Sequence, residues 1–250
     1  SQAEDAGIYL SNVTVTTETT GQPNRNLDFS RSHHFVAGYD FRIRPEMRFK
    51  AEAYYQYLYD LPVKDGSWYS LINSTGGYCS DSLTNGGTGR NYGIDLTLEK
   101  FLTRQYYYLV TVSLFDSKYK GGDGIERNTR FNTGYVVNLL GGKEWTIRKK
   151  NILGVNLKVS FTGGEWYVPI DLEQSRLQHR EVADDHEAYR RRLPAFCYAD
   201  LTLTYRTNHR KFSGVWAIQL KNLLNRKPAT GYTYNDFSRS VEPVRSTGII

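Results

Sequence analysis

The chain has 250 residues, a formal net charge of +6 and 39% hydrophobic residues, enough for one all-β domain or for part of a large barrel. Its 20 tyrosines, 11 phenylalanines and four tryptophans, against one methionine and two cysteines, favour strands over helices. No apolar run approaches the roughly 20 residues of a membrane-spanning helix. The basic triplets Arg148-Lys149-Lys150 and Arg190-Arg191-Arg192 stand in neither a basic helix nor an RNA-binding motif and read as solvated surface, so nucleic acid is not an expected partner.

Taken in chain order, residues 7–17 alternate through Ile8, Leu10, Val13 and Val15 but slip at Ser11-Asn12, which reads as β-structure within a loop. From His33 onward eight extended segments follow, and a ninth starts at Thr247. In the first, Phe35, Ala37, Tyr39, Phe41 and Ile43 oppose His34, Asp40 and Arg42. In the second, Met47, Phe49, Ala51, Ala53, Tyr55, Tyr57 and Tyr59 share one face, against Arg48, Lys50, Glu52, Tyr54 and Gln56. A period of two separates an apolar face with aromatic ends from a charged one. The same split recurs where Tyr92, Ile94, Leu96 and Leu98 oppose Asp95 and Glu99. It recurs again at Val155 to Phe161 against Lys158, at Leu201 to Tyr205 against Asp200 and Arg206, and at Trp216 to Leu220.

The joins between segments alternate in length. Tight ones fall at Arg44-Pro45-Glu46, Leu102-Thr103-Arg104, Thr146 to Lys150 and Thr207 to Lys211. Long ones, rich in Gly, Asn, Asp and Ser, run from about Leu61 to Gly89, Lys118 to Arg130, Gly164 to Pro194 and Asn225 to Thr247. A soluble sandwich has no reason to keep all its long loops on one edge. An antiparallel up-and-down transmembrane β-barrel does, and its alternating strands keep average hydropathy low. Asp40, Arg42, Arg48, Lys50, Glu52, Asp95, Glu99, Lys158, Asp200 and Arg206 would then line a polar lumen. Tyr55, Tyr57, Tyr59, Tyr92, Tyr106, Tyr108 and Trp216 would form interfacial girdles. Loops of about 30 residues usually signal function.

No catalytic constellation emerges, and neither a cofactor nor a metal is expected. Gly86-Gly87-Thr88-Gly89 leads into a strand, whereas phosphate loops open onto a helix, so it reads as a turn. His179, Glu181, Asp184, Asp185, His186 and Glu187 crowd one loop without four-ligand spacing. Asp116, Asp123 and Glu126 lack the ordered spacing of a calcium loop. Cys79 and Cys197 both lie at the loop side, where an oxidising compartment permits a mutual disulfide; a buried strand position for Cys197, or a partner for Cys79 outside this segment, are the alternatives.

The run Gly86 to Lys100, followed by Ser113-Leu114-Phe115-Asp116-Ser117-Lys118-Tyr119, resembles the barrel of TonB-dependent outer-membrane receptors, and Lys221-Asn222-Leu223-Leu224-Asn225 is similar to their penultimate-strand signature. Ser32 to Asp40 belongs to the same likeness, which is closest to the group with a carboxypeptidase-regulatory-like domain ahead of the plug. The resemblance implies that residues 1–250 are a single segment, the C-terminal portion of a 22-stranded barrel, in the outer membrane of a diderm bacterium. The expected partners are the plug domain and, through the parent chain, the TonB motor, together with outer-membrane lipid and an unidentified imported ligand. No plug, TonB box or signal peptide is recognised, and the sequence stops at Ile250 without the aromatic terminus usual in the family. An isolated open sheet is not expected to transport. Within the family, substrate meets the external loops, which here carry Trp68, Tyr69, Tyr78, Trp166, Tyr167, Tyr189, Arg190 and Tyr232. Uptake of a scarce nutrient, with no bond made or broken, is the leading expectation. A passive porin-like barrel and a soluble or surface β-domain binding glycans are the rivals.

Overall fold

A computed structural model describes residues 14–15, 20–21, 24–74, 79 and 81–246. Three two-stranded ladders lie outside the main sheet. One joins β1 (Thr14–Val15) to β2 (Thr20–Gly21); the rest of residues 7–17 and the expected strand start at Thr247 lie outside the described residues. The main sheet contains β3 (Arg31–Arg44), β4 (Met47–Val63), β5 (Thr84–Thr103), β6 (Tyr106–Lys120), β7 (Glu126–Asn128), β8 (Tyr135–Ile147), β9 (Asn151–Thr162), β12 (Phe196–Asn208) and β13 (Ser213–Leu220). In the loops lie β10 (Trp166–Tyr167) with β11 (Arg191–Arg192), and β14 (Ala229–Asn235) with β15 (Ser240–Arg245). The order β13-β12-β9-β8-β6-β5-β4-β3, with β7 added to β6, is antiparallel throughout. It is the up-and-down wall expected from the alternation, described here as an open sheet with β3 and β13 at its edges.

Register carries the two faces across all eight long strands. Opposed residues share a face, and Phe35 sits opposite Tyr55, Tyr55 opposite Tyr92, and Tyr92 opposite Asp116. Farther along, Val112 faces Val137, Val137 faces Phe161, and Phe161 faces Cys197. The apolar face is therefore continuous, and it is open: Phe35 is 67% exposed, Ile218 64% and Trp216 72%. Lys100 is a charged residue on that face near the turn end. Its ammonium is withdrawn into the bulge between Lys100 and Thr103, donating to the carbonyls of Phe101, Thr103 and Tyr106 and lying 3.7 Å from the Tyr106 ring.

The four tight turns occupy one end of the sheet and the long connections the other. Thr103 pairs with Tyr106, so the second turn is Arg104-Gln105, one residue later than the composition placed it. Both residues have positive φ, 53° and 71°. This is the primed geometry whose twist matches that of the strands it joins. Two expectations change at the loop end. Residues 86–89 belong to β5 rather than to a turn. Gly87 is needed there because β4 shifts register between Leu58 and Val63, and a Cβ on Gly87 would fall 2.9 Å from the Leu61 carbonyl oxygen. The last two long connections are also structured, by a helix, α1 (Leu172–Gln178), and by the β14–β15 hairpin.

Candidate functional site

The strands β4 and β5, of 17 and 20 residues, exceed the 9 to 11 or so that cross a bilayer. Their loop-end extensions carry the molecule's core. Leu61, Val63, Leu83, Tyr119, Ala188, Tyr189 and Leu193 are buried there. Buried Asn24 ties the entering chain down, donating to the Asp81 carbonyl and accepting from Leu83 N at 2.9 Å.

An aromatic cluster joins three long connections. Tyr189 packs edge-on against Trp68 and Tyr119, with ring centroids 5.7 and 6.0 Å away. The Tyr119 hydroxyl donates to the Trp68 carbonyl at 2.7 Å, and the Trp68 indole donates to Asp185. Burial pushes the Tyr189 hydroxyl up to about 12, and it pushes the Tyr69 hydroxyl up as well, helped by the neighbouring Cys79 thiol. Alongside, the Trp166 indole donates to the Asn132 carbonyl at 2.7 Å, and Arg130 bridges Glu165 at 2.8 Å. Arg127, almost fully enclosed, holds both carboxylate oxygens of Asp123 at 2.7 and 2.9 Å. That pair, above all its hydrogen bonds, holds the Asp123 carboxyl below the ordinary carboxylate range.

Helix α1 anchors the last hairpin. Asp171 caps its first turn by accepting from Gln174 N, and His179 ends it with a φ of 53°. Arg176 then donates to the Arg239 carbonyl, His179 Nδ1 meets Asp236 at 3.1 Å, and Glu181 accepts from Thr233 Oγ1 and Tyr234 N. Tyr167 packs on Tyr232 with centroids 5.1 Å apart.

The expected ligand-contacting residues are thus distributed unevenly. Tyr189 is buried; Trp68, Tyr69, Trp166, Tyr167 and Tyr232 are half-buried in loop-on-loop contacts; Arg190 is exposed. Tyr78 lies outside the described residues. Arg190 and Arg191 pair with Glu187, and Arg192 donates to the carbonyls of Gly164 and Thr133. A cleft of about 510 Å³ brings Trp68 and Arg190 together with Lys64, Asp65, Asp123, Asp185 and His186. Such a lining offers hydrogen-bond donors, acceptors and one aromatic wall to a polar ligand. The cysteine pairing is not made. Both thiols are free, Cys79 being enclosed with Sγ 3.9 Å from the Asp81 carbonyl and Cys197 standing on β12 opposite Phe161.

All ten expected lumen residues share the face opposite the apolar one. Asp40 stands across from Lys50, Arg48 from Glu99, Glu52 from Asp95, and Lys158 from Asp200; Arg42 and Arg206 continue the same row positions. Arg48 and Asp40 form an ion pair at 3.2 Å, and Lys50 and Glu52 another at 2.6 Å. Two tyrosines lie flat on this face over glycines, Tyr54 over Gly93 and Tyr107 over Gly142. A Cβ at either glycine would fall within 2.7 Å of the tyrosine's ring or hydroxyl. Asn132, Arg130, Tyr119 and Asp185, which organise the loop end, carry no local signal. Their bonds to Asp116, Glu165 and Trp68 span 16 to 117 residues of sequence.

No family profile matches the chain, and no curated protein does. Solved structures do share its fold. It superposes with a TM-score of 0.60 on the ferric yersiniabactin uptake receptor FyuA of Yersinia pestis, at 13% identity, over 88% of this chain and 28% of that one. The FrpB iron transporter of Neisseria meningitidis gives 0.60 at 10% identity, over 91% and 32%. The ferripyoverdine receptor of the outer membrane of Pseudomonas aeruginosa gives 0.59 at 12%, over 90% and 27%. The chain therefore spans about a third or less of the proteins whose barrel fold it shares.

Proposed function

We propose that this chain is a portion of the barrel wall of a TonB-dependent outer-membrane receptor, which takes up a scarce nutrient bound at its loop end. One observation carries the reading. A single continuous sheet presents an apolar face and a charged face, with every tight turn at one end and a structured loop assembly at the other. A soluble domain buries its apolar face, whereas here that face is contiguous across eight strands and open, which suits lipid. Its aromatics support the same reading. Tyr106, Tyr108 and Trp216 lie near the turn end, and Tyr55, Tyr57 and Tyr92 toward the loop end. Between Tyr108 and Asp116, level with Tyr92, run about 27 Å of strand, or roughly 20 Å of height at a tilt of ~40°, close to the apolar band of such barrels.

The charged face, with Asp40, Arg42, Arg48, Lys50, Glu52, Asp95, Glu99, Lys158, Asp200 and Arg206 in register, would face a plug domain through exchangeable ion pairs. The similar structures are described as receptors for ferric yersiniabactin and ferripyoverdine. Ferric chelates are therefore the first ligand class to screen against the cleft containing Trp68 and Arg190. The reading is tested by probing source-cell fractions with antibody to this segment, boiled and unboiled. An outer-membrane band much larger than 28.8 kDa, whose mobility shifts on heating, is expected. A stable band of the chain's own mass in a soluble fraction overturns it.

A further inference from the structure

Where β13 stops, the chain makes a turn with an unusual consequence. Asn222 and Asn225 both take left-handed backbone angles, 51° and 50°, a conformation that asparagine tolerates. Asn222 N donates to Asp200, its side chain bridges to the backbone of Arg226 in both directions, and Leu223 N donates to the Ala199 carbonyl. This turn carries the following residues over the upper end of β12. There they close a pocket of about 700 Å³ whose lining includes Tyr135, Phe161 and Cys197 from the apolar face of the sheet and Phe196 at the strand end, and whose rim holds Arg226, Lys227 and Arg245.

Three features of the pocket bear on its occupant. Its floor is continuous with the face that the proposed function assigns to lipid, since Phe161 stands opposite Val137 and Cys197 opposite Phe161 in register. Its rim is cationic without compensation: no acidic side chain lines it, and among the described residues none of the three cations forms an ion pair with a carboxylate. The Arg245 guanidinium donates a hydrogen bond to the Lys227 carbonyl. Its height is also informative. From the turn residue Asn151 to Phe161 is about 33 Å of strand, or roughly 25 Å above the turn end at ~40° of tilt, which is the upper limit of a barrel's apolar band. Apolar floor and cationic rim meet at the level of the outer headgroups.

We infer that this pocket binds a phosphate-bearing lipid of the outer leaflet, an acyl chain lying on Tyr135, Phe161 and Cys197 and the phosphate held by Arg226, Lys227 and Arg245. A cation near an anionic membrane surface attracts it by a factor of roughly five, so three acting together give a difference large enough to measure. The inference rests on the outer-membrane reading, and the experiment separates the two.

The parent receptor is placed in phosphatidylcholine nanodiscs containing diphosphorylated lipid A, then transferred to neutral detergent, and retained lipid A is counted by native mass spectrometry. The variant Arg226→Gln/Lys227→Gln/Arg245→Gln is compared with Arg148→Gln/Lys149→Gln/Lys150→Gln, which removes the same charge from the opposite end. The expected result is retention by wild type and by the turn-end variant, and about a hundredfold weaker retention by the rim variant, with inorganic phosphate failing to displace the lipid. Equal retention by all three, or equal loss in both variants, overturns the inference, as does displacement by inorganic phosphate alone. Heat-shifted mobility of each variant shows that its barrel is folded. A parent protein absent from the outer membrane would sink the functional reading itself, independently of the lipid result.

Discussion

Asp123 and Arg127 show what a single pair contributes at the loop end. The Arg127 side chain is 6% exposed and that of Asp123 20%, so removing one partner strands a charge away from water. Arg127→Ala is expected to destabilise the segment around β7 locally by about 3 kcal/mol, read as faster hydrogen exchange of residues 121–130 with the barrel still heat-modifiable. The pH dependence follows from the lowered Asp123 value. A carboxyl depressed in the folded state contributes fully above its unfolded value, near 3.8, and that contribution is lost as pH falls through the lower folded value. Protection factors at these residues, corrected for the intrinsic pH dependence of amide exchange, should therefore be unchanged from neutrality down to about pH 4 and fall only below it. A loss of protection already at pH 5 to 6 would show that another group governs the segment. In the sequence Asp123 reads only as a turn acid, because nothing local reveals that Arg127 folds back on it.

At the scale of elements, alternation located all eight long strands, and turn chemistry located their tight joins to within a residue or two. The Arg104-Gln105 turn is the instructive shift: neither residue has the conformational freedom of Asn-Gly, yet both adopt positive φ, imposed by pairing on either side. Gln105→Gly is expected to stabilise the hairpin by about 1 kcal/mol by removing that strain, and Gln105→Val to destabilise it, both read from the urea midpoint of the heat-modifiable form. Helix α1 and the β14–β15 hairpin were not legible. Seven helical residues and a hairpin with strands of seven and six residues carry too little periodicity to stand out from polar loops. What holds them is a set of distant tethers, Arg176 to Arg239 and Glu181 to Tyr234.

For the whole molecule, the decisive property is that two chemically opposite faces stay in register over eight strands. On the proposed barrel reading, a charge placed on each face separates lipid from lumen. Ile94, 50% exposed between Ala53 and Leu114, is near the middle of the apolar band, so Ile94→Arg should cost about 2 to 4 kcal/mol and deplete the heat-modifiable band in the outer membrane. Ser113→Arg, on the charged face beside Asp95, should leave that band unchanged. Equal tolerance of both substitutions would contradict the assignment of faces.

The sequence by itself determined the all-β class, the eight long strands, the identity of the two faces and the end to which the long loops belong. Each of these is written in a period of two or in turn composition, both of which act between near neighbours. Only the tertiary structure decided what the loops do with their aromatics. Tyr189 and Trp68 close a shared core rather than standing free, Cys79 and Cys197 remain apart, and the turn at Asn222 brings Arg226, Lys227 and Arg245 over an apolar floor built from β8, β9 and β12. Those outcomes depend on contacts between residues tens of positions apart, which loop closure permits at little entropic cost and which no local pattern encodes.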